Sequence, residues 1–274
     1  MKHMKLKTQN GTVIPQLAFG TWPLQGEEAK EAVQRVLELG YRHIDTAEAY
    51  ENEEAVGEGI RSSGVPREEI FLTTKFQKKW HGRENVREAL DGTLRRLGVD
   101  EIDLYLVHWP NPDQDRYVEA CQGLEDLRQE GKLRNWGVSN FKPHHLKKVM
   151  EEGLRPQVNQ ISVNPYGPQW NIQFCNNDNG VATAAYSPLG RGSKLLDEPT
   201  LWHIGDQHCK TPAQVVLRWH LQQDRIVIPR SANPQRQAEN LAIFDFELST
   251  QELMDIDHLD RGEGPRLDAD EFGH

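Results

Sequence analysis

Asp45, Tyr50, Lys75 and His108 are residues whose types could act together on a carbonyl group. A phenol, with a pKa of ~10, is a poor acid at neutral pH unless something favours its anion. A lysine ammonium beside Tyr50 would do that by Coulomb attraction, and Asp45 would hold Lys75 charged and oriented. His108 could donate or accept a hydrogen bond and fix a substrate oxygen. Together they suit proton donation to an oxygen on which negative charge is developing. Taken singly, each has a plainer reading: a structural Asp45–Lys75 ion pair, a packed loop tyrosine, a satisfied core histidine. Their joint occurrence at successive strand ends favours the chemical reading.

The elements that must position them are β-rich runs that close on an ionisable residue. Tyr41 to Ile44 runs into Asp45, and Tyr50 follows in polar, loop-like sequence; Ile70 to Thr74 closes on Lys75, and Ile102 to Val107 on His108. Ser139, Gln160, Tyr186 and Arg230 fall at or just past later strand ends. The pattern predicts strands at 17–19, 41–45, 71–75, 102–108, 135–139, 158–161, 181–186 and 226–228. Ala29, Ala32, Val33, Val36 and Leu37 sit at helical spacing over 27–39, and Gly40 supplies the stop. Further helices are predicted at 53–62, 83–97, 117–130, 144–152, 212–223, 235–244 and 250–259, with one within 199–204 and a weaker one around 169–177.

Alternation on both sides of Asn10-Gly11 signals an N-terminal β-hairpin, because both turn positions tolerate positive φ. It reads as a plug or lid before the main fold. Eight later strands, each followed by a helix and several spaced by roughly one βαβ unit, close most simply into a (β/α)8 TIM barrel. The competing doubly wound sheet lacks its glycine fingerprint after the first strand. The class is therefore α/β, a barrel with an N-terminal hairpin and a C-terminal extra helix and tail. No linker or composition break divides residues 1–274, which read as a single domain. The tail at 261–274, rich in Asp, Glu and Gly, reads as a loop ordered on binding or a frayed end. The short segment at 111–116 suggests an open site. His43, inside its strand, reads as a core histidine.

The 274 residues are the usual size for one such barrel, and a chain this long buries about three quarters of its unfolded surface. Apolar runs are only strand length, which excludes a membrane span, and the charged start Met1-Lys2-His3-Met4-Lys5 lacks an apolar signal region. Three widely separated cysteines, Cys121, Cys175 and Cys209, form no CxxC pair and fit reduced thiols in a cytoplasmic protein. A net charge of −10 argues against nucleic acid as the main partner, while leaving room for a local basic pocket. No metal-ligand spacing is evident.

At these residues the sequence resembles the aldo-keto reductase family, from the hairpin to about residue 260. The motifs are Gly20-Thr21-Trp22, Gly40-Tyr41-Arg42-His43-Ile44-Asp45-Thr46-Ala47 with Tyr50, Lys75, Leu106-Val107-His108-Trp109-Pro110, Gly137-Val138-Ser139-Asn140-Phe141, Val158-Asn159-Gln160, Ala185-Tyr186-Ser187-Pro188-Leu189-Gly190, and Ile228-Pro229-Arg230-Ser231 with Arg236, Glu239 and Asn240. It looks most like the short bacterial branch, similar to 2,5-diketo-gluconate reductases.

The resemblance implies reduction of aldehydes or ketones by hydride transfer from NADPH (giving NADP+), with Tyr50 as general acid, Lys75 and Asp45 as the tuning pair and His108 orienting the carbonyl. Tyr186 would stack on the nicotinamide, and Ser139, Asn140 and Gln160 would bind its carboxamide. Ser187, Leu189 and Gly190 would line the pyrophosphate, Arg230, Ser231, Arg236, Glu239 and Asn240 the adenosine end, and Gly20, Thr21 and Trp22 with Asp45 the remaining cofactor wall. Arg230 and Arg236 could grip a ribose 2′-phosphate bidentately. One departure is Arg230 itself, where the family usually has Lys; the charge is kept and the donor geometry changes. Another is the Asn-rich stretch at 173–179.

A small carbonyl substrate would meet Tyr50 and His108 within an aromatic wall of Trp22, Phe76 and Trp109. The expected protein is a cytoplasmic monomer without nucleic-acid or membrane partners. Two other functions stay open at this level: a non-catalytic NADPH-binding sensor or subunit-like barrel, and a Schiff-base aldolase using Lys75.

Overall fold

The computed structural model describes residues 4–273. Of the charged start, Met1, Lys2 and His3 lie outside the described residues, as does His274 at the end of the tail. Strands β1 (Lys5–Lys7) and β2 (Val13–Pro15) pair antiparallel, with Leu6 opposite Ile14. The connection is not a two-residue turn with two positive φ values. Gly11 N–H bonds Thr8 C=O at 2.9 Å, Gly11 alone of the Asn10-Gly11 pair is left-handed (φ 88°), and the Asn10 side chain accepts the Thr12 N–H. A capped turn followed by one left-handed glycine therefore replaces the mirror-image turn.

The hairpin does plug the barrel. Ile14 is fully buried with Phe71, Leu104, Leu106, Val158 and Ile226, the inward-facing apolar residues, and Asn10 and Thr12 both donate to Asn135 Oδ1. His43 is a core histidine as anticipated: its ring nitrogens meet Pro15 C=O and Thr73 Oγ1, each at 2.9 Å, and burial holds its pKa below the ordinary value.

Eight parallel strands follow in chain order around the sheet: β3 (Phe19–Gly20), β4 (His43–Asp45), β5 (Phe71–Phe76), β6 (Leu104–Val107), β7 (Trp136–Ser139), β8 (Val158–Ser162), β9 (Ala182–Tyr186) and β10 (Ile226–Ile228). The ring closes where Leu17 pairs with Val227 in parallel, extended by Gly20 N–H to Pro229 C=O at 3.0 Å. Helices α1 (Gly26–Leu39), α2 (Glu53–Ser62), α3 (Asn85–Leu97), α4 (Tyr117–Gln129), α5 (Pro143–Glu151), α6 (Trp170–Asp178), α7 (Pro199–His208), α8 (Pro212–Gln222), α9 (Pro234–Leu241) and α10 (Thr250–Asp257) form the outer layer and the C-terminal addition. Gly40 ends α1 in the left-handed conformation, φ 115°, as its position after the apolar stripe requires. The Asn-rich α6 holds a structural role through a polar residue: buried Asn176 accepts from Asn159 and donates to Thr183.

The tail is neither frayed nor remote. Arg261 and Glu263 N–H groups bond Tyr166 C=O, Ala269 is buried, and Phe272 packs edge-on against Trp109 at 5.0 Å. Gly273 lies so close to the Asn111 side chain that no Cβ would fit there. Within the segment at 111–116, Asn111 is thus covered by the chain end, while residues 113–116 are exposed. Lys142, at the start of α5, pairs with both Asp268 and Asp270, and His144 Nε2 meets Asp270 Oδ1 at 3.0 Å.

His144, His145 and Asp270 are the one group among the described residues with three metal-ligand atoms in mutual reach. The ring of His145 argues for a latch instead. Its Nδ1 accepts the Lys142 N–H, which leaves the neutral ring's proton on Nε2, 3.1 Å from Asp270 Oδ1 but outside hydrogen-bond geometry. Burial lowers its pKa to about 4, keeping it neutral, and Lys142 already neutralises Asp270. Lys142→Ala is expected to speed amide hydrogen exchange across residues 266–273 while moving stability by only about 1 kcal/mol, since these pairs are solvated. Unchanged exchange in that segment would refute the latch.

Candidate active site

Parallel strands deliver their C-terminal residues to one rim, and the functional side chains meet there. Asp45 ends β4, Lys75 sits one residue inside the end of β5, His108 follows β6, and Tyr50 lies on a 3-10 turn, Glu48–Tyr50, just beyond β4. Lys75 Nζ donates to Asp45 Oδ1 at 2.7 Å and Thr46 C=O at 2.8 Å, and lies 3.4 Å from Tyr50 Oη. The rings of Tyr50 and His108 stand edge to face, 5.8 Å apart. The four residues are therefore one cluster.

Its electrostatics differ from the simplest expectation at one point. Burial pushes the Tyr50 phenol above its ordinary value, and the Lys75 ammonium opposes this without cancelling it. Burial would lower Lys75, but Asp45 and Tyr50 outweigh it and hold the lysine above its ordinary value. Lys75 and Asp45, at 1% and 4% side-chain exposure, are a buried pair. Asp45 Oδ2 also accepts Gln160 Nε2 at 2.7 Å, so both carboxylate oxygens are satisfied.

The cluster forms one end of a cleft of about 620 Å³. Of the residues singled out in the sequence, Gly20, Thr21, Trp22, Asp45, Tyr50, His108, Trp109, Ser139, Asn140, Gln160, Tyr186, Ser187, Leu189, Arg230, Ser231 and Arg236 line it. Along its wall Tyr186 Oη donates to Asn140 Oδ1 at 2.8 Å, Asn140 Nδ2 donates to His108 C=O and Ser139 Oγ, and Ser139 Oγ donates to Gln160 C=O. Gln160 spends its amino group on Asp45 and keeps Oε1 as its remaining acceptor. Arg230 and Arg236, which also line the cleft, are exposed. The Asn233 side chain caps α9, accepting the Gln235 and Arg236 N–H groups.

Four of the residues expected at the site do not line the cleft, and Lys75 sits behind Asp45. Phe76 is a correction: it is fully buried against Tyr105 and His81. Side chains alternate along a strand, so when Lys75 points into the barrel its neighbour points to the helix layer. Gly190 lies in the loop after β9 between Leu189 and Arg191, both of which line the cleft. Glu239 and Asn240 sit in the last turn of α9, where Glu239 accepts from Gln235 and Asn240 is buried.

Arg191, Gly192 and Leu267 line the cleft without having been anticipated. The Arg191 guanidinium stacks on Trp22 at 4.1 Å, and Arg266 of the tail donates to Arg191 C=O. No local pattern signals these contacts, because they join a loop to the chain end. The positive φ of Ser187, 50°, where the chain leaves β9, was likewise not readable from residue type.

Residues 16–261 match the model of the aldo/keto reductase family. An aldo-keto reductase of Mycolicibacterium smegmatis is 47% identical over 259 residues, 94% of each chain. Methylglyoxal reductase DkgA of Escherichia coli K12 is 44% identical over 270 residues, 98% of each chain. A solved structure, a variant of Gox0644 in complex with NADPH, superimposes with a TM-score of 0.93 at 38% identity, covering 98% of each chain.

Proposed function

The chain belongs to the aldo/keto reductase family, and on that premise we propose that it reduces small aldehydes and ketones at this cleft, with NADPH as cofactor and Tyr50 as general acid. The observation that carries the reading is the Asp45–Lys75–Tyr50 chain, closed by His108, on a cleft of about 620 Å³ that Arg230 and Arg236 also line. NADP-dependent carbonyl reduction is the activity of the class, and methylglyoxal, the substrate named for the Escherichia coli relative, is the substrate we propose to test first.

The lining fits a dinucleotide phosphate. Tyr186 is held by Asn140 at a fixed angle to the cleft, and Gln160 Oε1 is available to accept from a carboxamide N–H. The two exposed arginines of the lining, Arg230 and Arg236, suit a ribose 2′-phosphate. Bound there, NADPH supplies the hydride. The chain's own part is to orient a carbonyl oxygen between Tyr50 and His108 and to pass it the phenol's proton. Lys75 steadies the phenolate that remains, and Asp45 keeps Lys75 charged. That same pairing disfavours the aldolase reading, because an amine held as ammonium is a poor nucleophile.

We further propose that residues 1–274 act as one domain, as a cytoplasmic monomer. Among the described residues no helix is long and apolar enough to cross a membrane. The test is steady-state reduction of methylglyoxal with each cofactor. Turnover is expected with NADPH well ahead of NADH, and Arg230→Ala with Arg236→Ala should raise KM for NADPH about tenfold or more while leaving NADH nearly unchanged. Cofactor binding without turnover over a panel of aldehydes and sugar ketones would instead favour a non-catalytic barrel.

A further inference from the structure

We propose that Glu48 is a positioning residue for the reaction: its carboxylate braces the turn carrying Tyr50 against the backbone that follows Lys75, and so sets the separation of phenol and ammonium. The inference rests on Tyr50 being the proton donor.

Glu48 lies two residues before Tyr50 on the same 3-10 turn, and it is 8% exposed. Its carboxylate accepts the backbone N–H of Gln77 at 3.1 Å, and Gln77 lies two residues beyond Lys75. Both oxygens accept the Trp80 Nε1–H at 3.0 Å, and Oε1 pairs with Lys79 at 2.8 Å and, more distantly, Arg96 at 3.8 Å. Burial alone would raise this carboxyl; the hydrogen bonds from Lys79, Trp80 and Gln77 hold it below its ordinary value, so it is an anion at neutral pH.

The turn needs such a brace. It begins at Ala47, which has no side chain to cap it, and it ends at Glu51 in the left-handed region, φ 55°. On the β3 side it is held by Gln25, which donates to Tyr50 C=O at 2.6 Å, and by Asn52, which accepts from Thr46 and donates to Leu24 C=O. Toward β5 the side-chain hydrogen bonds from the turn's residues come from Glu48 and from Tyr50 itself. The two loops leave adjacent parallel strands, and the 3.4 Å from Lys75 Nζ to Tyr50 Oη depends on how they are tied. The charges that act on the phenol are those of Lys75 and Asp45, so Glu48 works on it through geometry.

Replacing Glu48 by Gln puts an amide N–H₂ among N–H donors that need an acceptor, which forces the turn to shift. A displacement of about 1 Å costs up to about 10²-fold in rate. The experiment measures kcat, KM for methylglyoxal, NADPH affinity by tryptophan fluorescence, thermal stability and the pH profile for wild type, Glu48→Gln, Trp80→Phe and Tyr50→Phe. Glu48→Gln is expected to lower kcat about 10–100-fold with KM and NADPH affinity within about twofold. Its alkaline loss of activity should move to higher pH, because a phenol further from Lys75 ionises less readily. Trp80→Phe, which removes one donor and keeps the ring, should show a smaller change of the same kind. Wild-type kcat and pH profile in Glu48→Gln would overturn the proposal, as would parallel losses of kcat, affinity and thermal stability. If Glu48→Gln does not fold, Trp80→Phe decides on the same readouts. Substantial turnover by Tyr50→Phe would refute the proton-donor reading beneath it, separately from the brace.

Discussion

Tyr50→Phe is expected to lower kcat for methylglyoxal reduction by about 10²–10⁴-fold, the range that general acid catalysis contributes, while NADPH affinity and KM stay within about twofold. Among the described residues the phenol oxygen's hydrogen-bond partner is Lys75 at 3.4 Å, and Tyr50 is half-buried, so its loss removes little packing and leaves no strong donor stranded. Thermal stability should therefore move by less than about 1 kcal/mol. His108 does not stand in for the phenol: its ring is edge-on to Tyr50 at 5.8 Å, placed to orient an oxygen from the side. Wild-type activity should fall on the alkaline side as Tyr50 loses its proton, and because burial holds that pKa above its ordinary value, the fall belongs well above neutral pH. The variant's residual rate should lack this limb. Turnover within about tenfold of wild type, with the limb intact, would remove Tyr50 from the acid role.

The strands and the residues at their ends were legible because both rest on short-range rules. Apolar runs closing on Asp45, Lys75 and His108 predict strands whose observed bounds differ by a few residues at most, and the barrel follows from parallel pairing. Phe76 was misplaced for a reason the sequence does contain: period-two alternation, once Lys75 faces inward, sends Phe76 outward. The tail was misread because its order comes from contacts with Lys142, Trp109 and Arg191, far away in the chain. Glu48 stood in the stretch richest in chemistry and drew no role. Its partners Gln77 and Trp80 belong to the next βα loop, and only the pairing of β4 with β5 brings them to it.

Removing Lys75 tests the other half of the site and has the larger effect on folding. Lys75→Met leaves the Asp45 carboxylate buried with Gln160 as its hydrogen-bond donor, and Thr46 C=O loses the ammonium that it accepts from. Breaking a buried pair from one side costs about 3–5 kcal/mol, which for a chain of this size lowers the melting temperature on the order of 5–15 °C. The double variant Asp45→Asn, Lys75→Met removes both charges, so it should be more stable than Lys75→Met alone, with a coupling of about 1–3 kcal/mol. Activity should stay lost in both, because the phenol then has no cation beside it to favour its anion. The sign with pH follows from the direction of the shift. Lys75 is raised above its ordinary value, so its contribution to stability is fully present below that value, 10.5, and is lost as pH rises through the higher folded value. The stability gap between wild type and Lys75→Met should thus shrink under strongly alkaline conditions. It should also resist added salt, since a pair at 1% and 4% exposure is poorly screened. Additive stabilities in the double variant, or a gap that stays unchanged under strongly alkaline conditions, would mean that Lys75 is held by packing and that the ion pair does not tune the phenol.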